Sequence, residues 1–307
     1  MSSPLFIIDA FTGRPFGGNP AAVVLLEPGD PLAADGEDAE ALRLNIAGEM
    51  NLSETAFVTY GDDRQKPASE SVRGRTFGLR WYTPTREVDL CGHATLASAH
   101  ALYDAGLVSL HQPIEFDTRS GRLRASPDTD WRGFWIDLPA TPPVQEALPD
   151  GLLDALGLTS TVFAGRSTPA DGVDDGSAND FFDWFIEVDA ESEVARLDPT
   201  FRAISNICLE HKQARGVIVS AKATRDDAEV VSRCFYPAYG VDEDPVTGSA
   251  HCTVGPFFAR ELGKKDGEVL HCRQISRRGG EVRVTTRGKR VHLGGRATTV
   301  VRGKLVL

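Results

Sequence analysis

The chain has 307 residues, 41% of them apolar and 25% charged, with a formal net charge of −11. That length and balance fit a globular chain with room for two hydrophobic cores, and the negative charge argues against general binding to nucleic acid or to anionic membranes. No apolar run approaches the ~20 residues of a membrane-spanning helix, and the N-terminus opens directly on Leu5–Asp9 without the basic and apolar regions of a signal peptide, so a cytoplasmic protein is expected.

In chain order, Leu5 to Ile8 and Ala21 to Leu26 read as strands around a turn at Gly17–Pro20. A polar loop over Pro28–Asp38 precedes a helix at Ala39–Met50, and Thr55–Tyr60 and Phe77–Tyr82 read as strands. The next helix, Gly92 to about Asp104, carries Ala94, Leu96, Ala97, Ala99, Ala101 and Leu102 around most of its cylinder. A helix apolar all round is a buried one, so sheet is expected to wrap it. Phe116–Pro142 has short strand-like runs broken by proline, which suits a crossing between domains. A short helix is expected at Leu148–Gly157, an acidic surface loop at Asp171–Asp180, and strands at Trp184–Val188 and Gly216–Ala221. A further helix runs from Gly248 to about Leu262, where the interior Pro256 should kink or interrupt it at a cost of roughly 3 kcal/mol. The locally basic segment from Arg277 to Arg296 alternates with Val282, Val284, Val291 and Leu293, as the solvated face of C-terminal strands does. The last strand is expected to return to the first domain and close its sheet. Five cysteines, with no C-x-x-C spacing, are expected to be reduced thiols.

Two stretches repeat one design. Arg80–Thr95 (RWYTPTREVDLCGHAT) and Arg233–Gly248 (RCFYPAYGVDEDPVTG) each run strand, proline turn, small-residue loop and helix start. Aligned without a gap, Arg80 pairs with Arg233, Pro84 with Pro237, Val88 with Val241 and Asp89 with Asp242, while Cys91 falls opposite Asp244. Related halves that differ at one loop tip suggest an asymmetric active site.

The helix starts at Gly92-His93-Ala94-Thr95 and Thr247-Gly248-Ser249-Ala250 offer unpaired N–H groups and the positive end of a helix dipole, a ready site for a carboxylate. Either one alone would suit ordinary capping; the pair points to a clamp. Glu54, between an expected helix end and a strand, is placed to act as a general base, although an isolated surface carboxylate is common. His93 is singled out by its place on the first helix start, and Asp244 by its loop, where Asp-Pro also starts turns. Cys91 alone among the cysteines sits on a motif tip, where a helix N-terminus lowers a thiol pKa. There is no Walker loop, G-x-G-x-x-G, H-E-x-x-H or G-x-S-x-G. Metal-free, cofactor-free acid–base chemistry is therefore expected.

At these residues the chain resembles the phenazine-biosynthesis isomerase (PhzF-like) family of the diaminopimelate epimerase-like fold. Four stretches carry the resemblance in family order: Asp9–Phe11 through Gly17–Val23, Leu52–Phe57, Cys91–Thr95, and Glu243–Ala250. The resemblance implies an α+β fold of two pseudo-symmetric domains, each a mixed, barrel-like sheet around a central helix, with the site in the cleft between them. The expected division is 1–116 with a return at about 298–307, and 117–297. It further implies an isomerase in which Glu54 is the acid/base, taking a proton from one carbon of a dihydro-hydroxyanthranilate-like cyclic carboxylate and returning it to another. His93 and Asp244 assist, the backbones at Gly92, Gly248 and Ser249 hold the carboxylate, and Asn19 and Ser53 line the site. A homodimer is a family expectation. Two alternatives stay open: an amino-acid epimerase or racemase using Cys91, and a small-carboxylate-binding or interaction protein that kept the fold without turnover.

Overall fold

The computed structural model describes residues 2–60, 76–109, 111–170 and 181–307; the acidic loop expected at 171–180 lies outside the described residues. The chain divides into two compact units, Met1–Asp137 with Gly294–Leu307, and Leu138–Leu293.

In the first unit, β1 (Ser2–Ala10), β2 (Asn19–Leu26), α1 (Glu37–Met50), β3 (Glu54–Thr59), β4 (Thr76–Tyr82), β5 (Glu87–Val88), α2 (Gly92–Asp104), β6 (Ile114–Thr118), β7 (Gly121–Asp128) and β8 (Gly133–Pro139) follow in order. The second contains β9 (Pro143–Gln145), α3 (Leu152–Leu156), β10 (Phe163–Ser167), β11 (Phe182–Glu187), α4 (Glu191–Arg196), α5 (Phe201–Glu210), β12 (Ala214–Lys222), β13 (Val230–Tyr236), β14 (Val241–Asp244), α6 (Gly248–Glu261), β15 (Leu270–Gln274), β16 (Gly280–Arg287) and β17 (Arg290–Gly295). The final strand, β18 (Ala297–Val306), returns to the first unit and pairs antiparallel with β1 from Ala10↔Ala297 to Ser2↔Val306.

Each unit builds the same ladder. β1 is antiparallel to β2, β2 parallel to β3, β3 antiparallel to β4, β4 antiparallel to β5 and parallel to β6, and β6 antiparallel to β7. From β10 onward, β11, β12, β13, β14, β15 and β16 repeat that sequence of pairings. Parallel neighbours cannot be joined by a hairpin and need a crossover. That requirement places helices between β2 and β3, between β4 and β6, and at the matching points of the second unit. Inside each repeated hairpin an arginine on the long strand grips an acid on the short one: Arg80 with Glu87, and Arg233 with Glu243. The same guanidinium lies over the ring two residues on, 5.8 Å from Tyr82 and 5.2 Å from Phe235.

The central helix α2 is enclosed as its composition requires, with every residue from Gly92 to Ala99 buried, and Ala101 and Leu102 as well. A side chain on Gly295 would run into Phe11 and Leu96, so glycine lets the chain pass closely over this helix. In the second unit, Gly255 of α6 likewise packs against Val284, and Trp184, Ile186, Val217, Val219 and Phe235 form the core with α5 residues Ile204 and Cys208.

Four expectations are corrected. Pro256 neither breaks nor ends α6, which runs unbroken from Gly248 to Glu261. The carbonyl that a residue-256 N–H would have bonded, that of Cys252, accepts instead from the Thr141 N–H at 2.9 Å, so the hydrogen bond is replaced rather than lost. The helix expected at Leu148–Gly157 is confined to Leu152–Leu156, because Pro149–Gly151 form a turn closed by the Leu152 N–H on the Pro149 carbonyl, with Gly151 left-handed. The first unit runs past residue 116 to Asp137, since β6 and β7 continue its ladder. Finally, the two helix starts fix a different equivalence. From the turn proline to the helix start the chain runs 84 to 92 in the first copy and 237 to 248 in the second. The second loop is three residues longer, so Cys91 corresponds to Thr247, not to Asp244.

Candidate functional site

In the first unit, four of the singled-out side chains converge. α1 ends at Asn51, whose left-handed backbone (φ 49) turns the chain and whose N–H still caps Ala47, as asparagine tolerates better than most residues. Two residues later the half-buried Ser53 leads into β3, and Glu54 is that strand's first residue, aligned with Ala21 of β2. Asn19 is the first residue of β2 and fully buried. Gly92 and His93 open α2 after Cys91, which has extended backbone and offers no side-chain cap. The result is a compact group. His93 Nε2 lies 3.2 Å from Glu54 Oε2, and His93 Nδ1 faces Asn19 Nδ2 at 3.4 Å and Cys91 Sγ at 3.5 Å.

The electrostatics follow from burial. His93 is 5% exposed, and loss of solvent pushes its pKa down to about 3, so the ring is neutral at physiological pH. Its Nδ1 faces an amide N–H and a thiol, both able to donate, so the ring proton belongs on Nε2. That nitrogen is buried and makes no hydrogen bond to any described residue, despite its closeness to Glu54. An N–H and a carboxylate therefore lie side by side without being spent on each other. Glu54, Cys91 and His93 can also each place one ligand atom within 4.8 Å of the others, a donor set of the kind that holds zinc.

In the second unit, Asp244 ends β14 and is buried. Gly248 and Ser249 are the first two residues of α6, and Thr247, the residue before them, has extended backbone and offers no side-chain cap to the helix. The Thr247 hydroxyl turns back instead and donates to Asp244 Oδ2 at 2.5 Å. Gln274, the last residue of β15, binds this loop through both ends of its amide. The sequence marks Thr247 only as part of the second helix-start motif, and Gln274 does not stand out in it at all. The signal for Gln274 was the alternation of β15, where it shares the buried side with Leu270 and Cys272; a glutamine at a core position needs partners. His251, one turn into α6, is wholly buried with Nδ1 on the Thr247 carbonyl at 2.8 Å. The five cysteines are buried, and none is in a disulfide. No described helix is long and apolar enough to cross a membrane.

Comparison with known proteins agrees with this architecture. A family model described as phenazine biosynthesis-like protein matches residues 8–303. An uncharacterized isomerase of Halalkalibacterium halodurans is 41% identical over 310 residues, covering 100% of both chains. The crystal structure of a phenazine biosynthesis protein of the PhzF family from Enterococcus faecalis matches with a TM-score of 0.79 and 33% identity over 100% of both chains. A hydroxyproline epimerase from Agrobacterium vitis shares the fold alone, with a TM-score of 0.62 at 13% identity over 100% of this chain and 93% of its own. The fold is thus the diaminopimelate epimerase-like one, and the chain belongs to the phenazine biosynthesis-like (PhzC–PhzF) family, as an isomerase.

Proposed function

We propose that this isomerase moves a proton between carbons of a small cyclic carboxylate of the dihydro-hydroxyanthranilate type, without metal or organic cofactor, and that Glu54 is the general acid/base. The carboxylate of Glu54 takes a proton from one ring carbon, the electron pair delocalises into the adjacent unsaturation, and the protonated Glu54 returns the proton to a second carbon. The observation that carries this reading is the 3.2 Å approach of His93 Nε2 to Glu54 Oε2, with no hydrogen bond from that nitrogen to any described residue. A neutral imidazole N–H beside the base can bind a substrate oxygen without placing a positive charge there to hold Glu54 as a permanent ion pair. By the family resemblance Asp244 is the second assisting group, and each of the first turns at Gly92 and at Gly248-Ser249, which have no side-chain cap, offers N–H donors that suit a carboxylate. Asn19 orients His93, and Ser53 lines the site beside the base.

One observation favours a second reading. Cys91 Sγ lies 3.5 Å from His93 Nδ1, where a thiol could exchange a proton with an amino-acid α-carbon. A two-thiol epimerase needs a second cysteine at the equivalent helix start, and Thr247 stands there. The test is turnover of trans-2,3-dihydro-3-hydroxyanthranilate, followed by proton NMR, with wild type, Glu54→Gln and Cys91→Ala. Loss with Glu54→Gln and retention with Cys91→Ala support the isomerase reading; the opposite pattern supports the thiol.

A further inference from the structure

Gln274 is 0% exposed, and its amide faces two backbone groups of the loop between β14 and α6. Oε1 accepts the Thr247 N–H at 2.8 Å, and Nε2 donates to the Asp244 carbonyl at 2.7 Å. A backbone N–H only donates and a backbone C=O only accepts, so the orientation of this amide is fixed. The second proton on Nε2 reaches Thr247 Oγ1 at 3.1 Å. A hydroxyl has one proton and two lone pairs. With Gln274 donating to the oxygen, the one proton of Thr247 is directed onto Asp244 Oδ2, 2.5 Å away. Two residues past Gln274, Ser276 Oγ holds the loop's middle through the Pro245 carbonyl at 2.7 Å.

We propose that Gln274 and Thr247 are positioning residues for Asp244: the amide sets the direction of the Thr247 hydroxyl, and the hydroxyl fixes Oδ2 of Asp244 as a hydrogen-bond acceptor. The place of Asp244 in catalysis rests on the reading above; the device itself does not. Thr247 occupies the position that Cys91 holds in the first unit, so the second copy of the repeat places there a hydroxyl committed to orienting an acid. Among the described residues, the ionisable groups that interact with Asp244 include Cys234, which also hydrogen-bonds Thr247, and Tyr236. Cys234 is the partner of Asp244 across β13–β14, and Tyr236 lies on the same strand as Cys234; burial pushes both well above their ordinary pKa values. Asp183 is paired with Arg215, and Glu243 with Arg233.

The test is a carbon NMR titration of full-length protein labelled at the aspartate carboxyl carbons, with the Asp244 signal identified by its absence from Asp244→Asn. A carboxylate that loses a directed donor holds its proton more tightly, so Thr247→Val should raise the Asp244 midpoint by about one pH unit. Thr247→Ser, which keeps the hydroxyl, should leave it near the wild-type value. Gln274→Glu keeps the acceptor for the Thr247 N–H but adds a competing acceptor for the hydroxyl proton, and should move the midpoint in the same direction as Thr247→Val. Unchanged midpoints in Thr247→Val and Gln274→Glu would overturn the proposal, and so would a Thr247→Ser shift as large as that of Thr247→Val. If Thr247→Val does not fold, Gln274→Glu and Thr247→Ser decide between these outcomes. No substrate enters the measurement, so a chain that turns over no cyclic carboxylate would sink the isomerase chemistry and leave this result standing.

Discussion

His93 Nε2 lies 3.2 Å from Glu54 Oε2, although one residue opens the central helix of its unit and the other opens a strand. Their approach is set by the packing of α2 inside the sheet rather than by any local turn. Burial holds the imidazole neutral, with a pKa of about 3. The ring should therefore keep one proton, on Nε2, from pH 8 down to pH 5. Nitrogen NMR of labelled histidine should show a single neutral tautomer for His93 across that range. A midpoint near 6.5, the ordinary histidine value, would contradict the burial described.

Cys91 separates two kinds of chemistry. Under the acid–base reading it packs against His93, and Cys91→Ala should keep kcat/KM within a few-fold of wild type. The same thiol, with Glu54 and His93, forms a zinc-type donor set. Added zinc should therefore inhibit, EDTA should reverse the inhibition, and Cys91→Ser should weaken it. EDTA alone should leave activity intact. Activity that disappears with EDTA and returns with zinc would overturn the metal-free reading.

His251 ties folding to pH. Burial depresses its pKa to about 4, outweighing the hydrogen bond to the Thr247 carbonyl, which acts in the opposite direction. A histidine depressed on folding contributes its full stability above the unfolded value of about 6.5 and loses it as pH falls toward 4, because the unfolded chain takes up the proton first. Between pH 7 and pH 5 the loss from this residue is about 2 kcal/mol. His251→Asn keeps a donor for the Thr247 carbonyl without titrating, so urea unfolding of this variant should show a smaller loss over the same interval. Equal losses in variant and wild type would rule His251 out as the source.

Pro256 is the natural candidate for stabilisation by Pro→Ala, since an interior helix proline usually costs about 3 kcal/mol. Here the Cys252 carbonyl already accepts from Thr141. Pro256→Ala should thus change stability by less than about 1 kcal/mol, as read by urea unfolding. A gain near the full cost would mean that the Thr141 hydrogen bond does not compensate.

Much of this architecture is legible in the residues. The small, apolar face of α2 announces a helix enclosed by sheet, and the Gly92-His93-Ala94 and Gly248-Ser249-Ala250 starts mark where the two crossovers begin. Alternation around Val282, Val284, Val291 and Leu293 places the last strands, and all four are buried. What the pattern hides is long-range. α5 is the exception, since Phe201, Ile204 and Cys208 recur there at helical spacing and pack on the core of the second unit, although Ile204, Asn206 and Ile207 are weak helix formers. The three extra residues before α6 are invisible to a gap-free comparison, because Asp89 and Asp242 still match and draw the alignment past the insertion. Gln274 acquires its role from a loop thirty residues earlier, which no local periodicity records. In the same way, Pro256 looks like a breaker until the donor from Thr141 is seen.

The most direct test of the chemistry is deuterium exchange. Trans-2,3-dihydro-3-hydroxyanthranilate would be incubated in D₂O with wild type or with Glu54→Gln, and the ring protons followed by NMR. Removal of one acid/base group commonly costs 10²- to 10⁴-fold. Wild type should rearrange the compound or place deuterium on carbon, and Glu54→Gln should slow this by at least about a hundredfold while melting within a few degrees of wild type. Deuterium incorporation at an undiminished rate by Glu54→Gln would show that another group moves the proton and would contradict the assignment of Glu54 as the base.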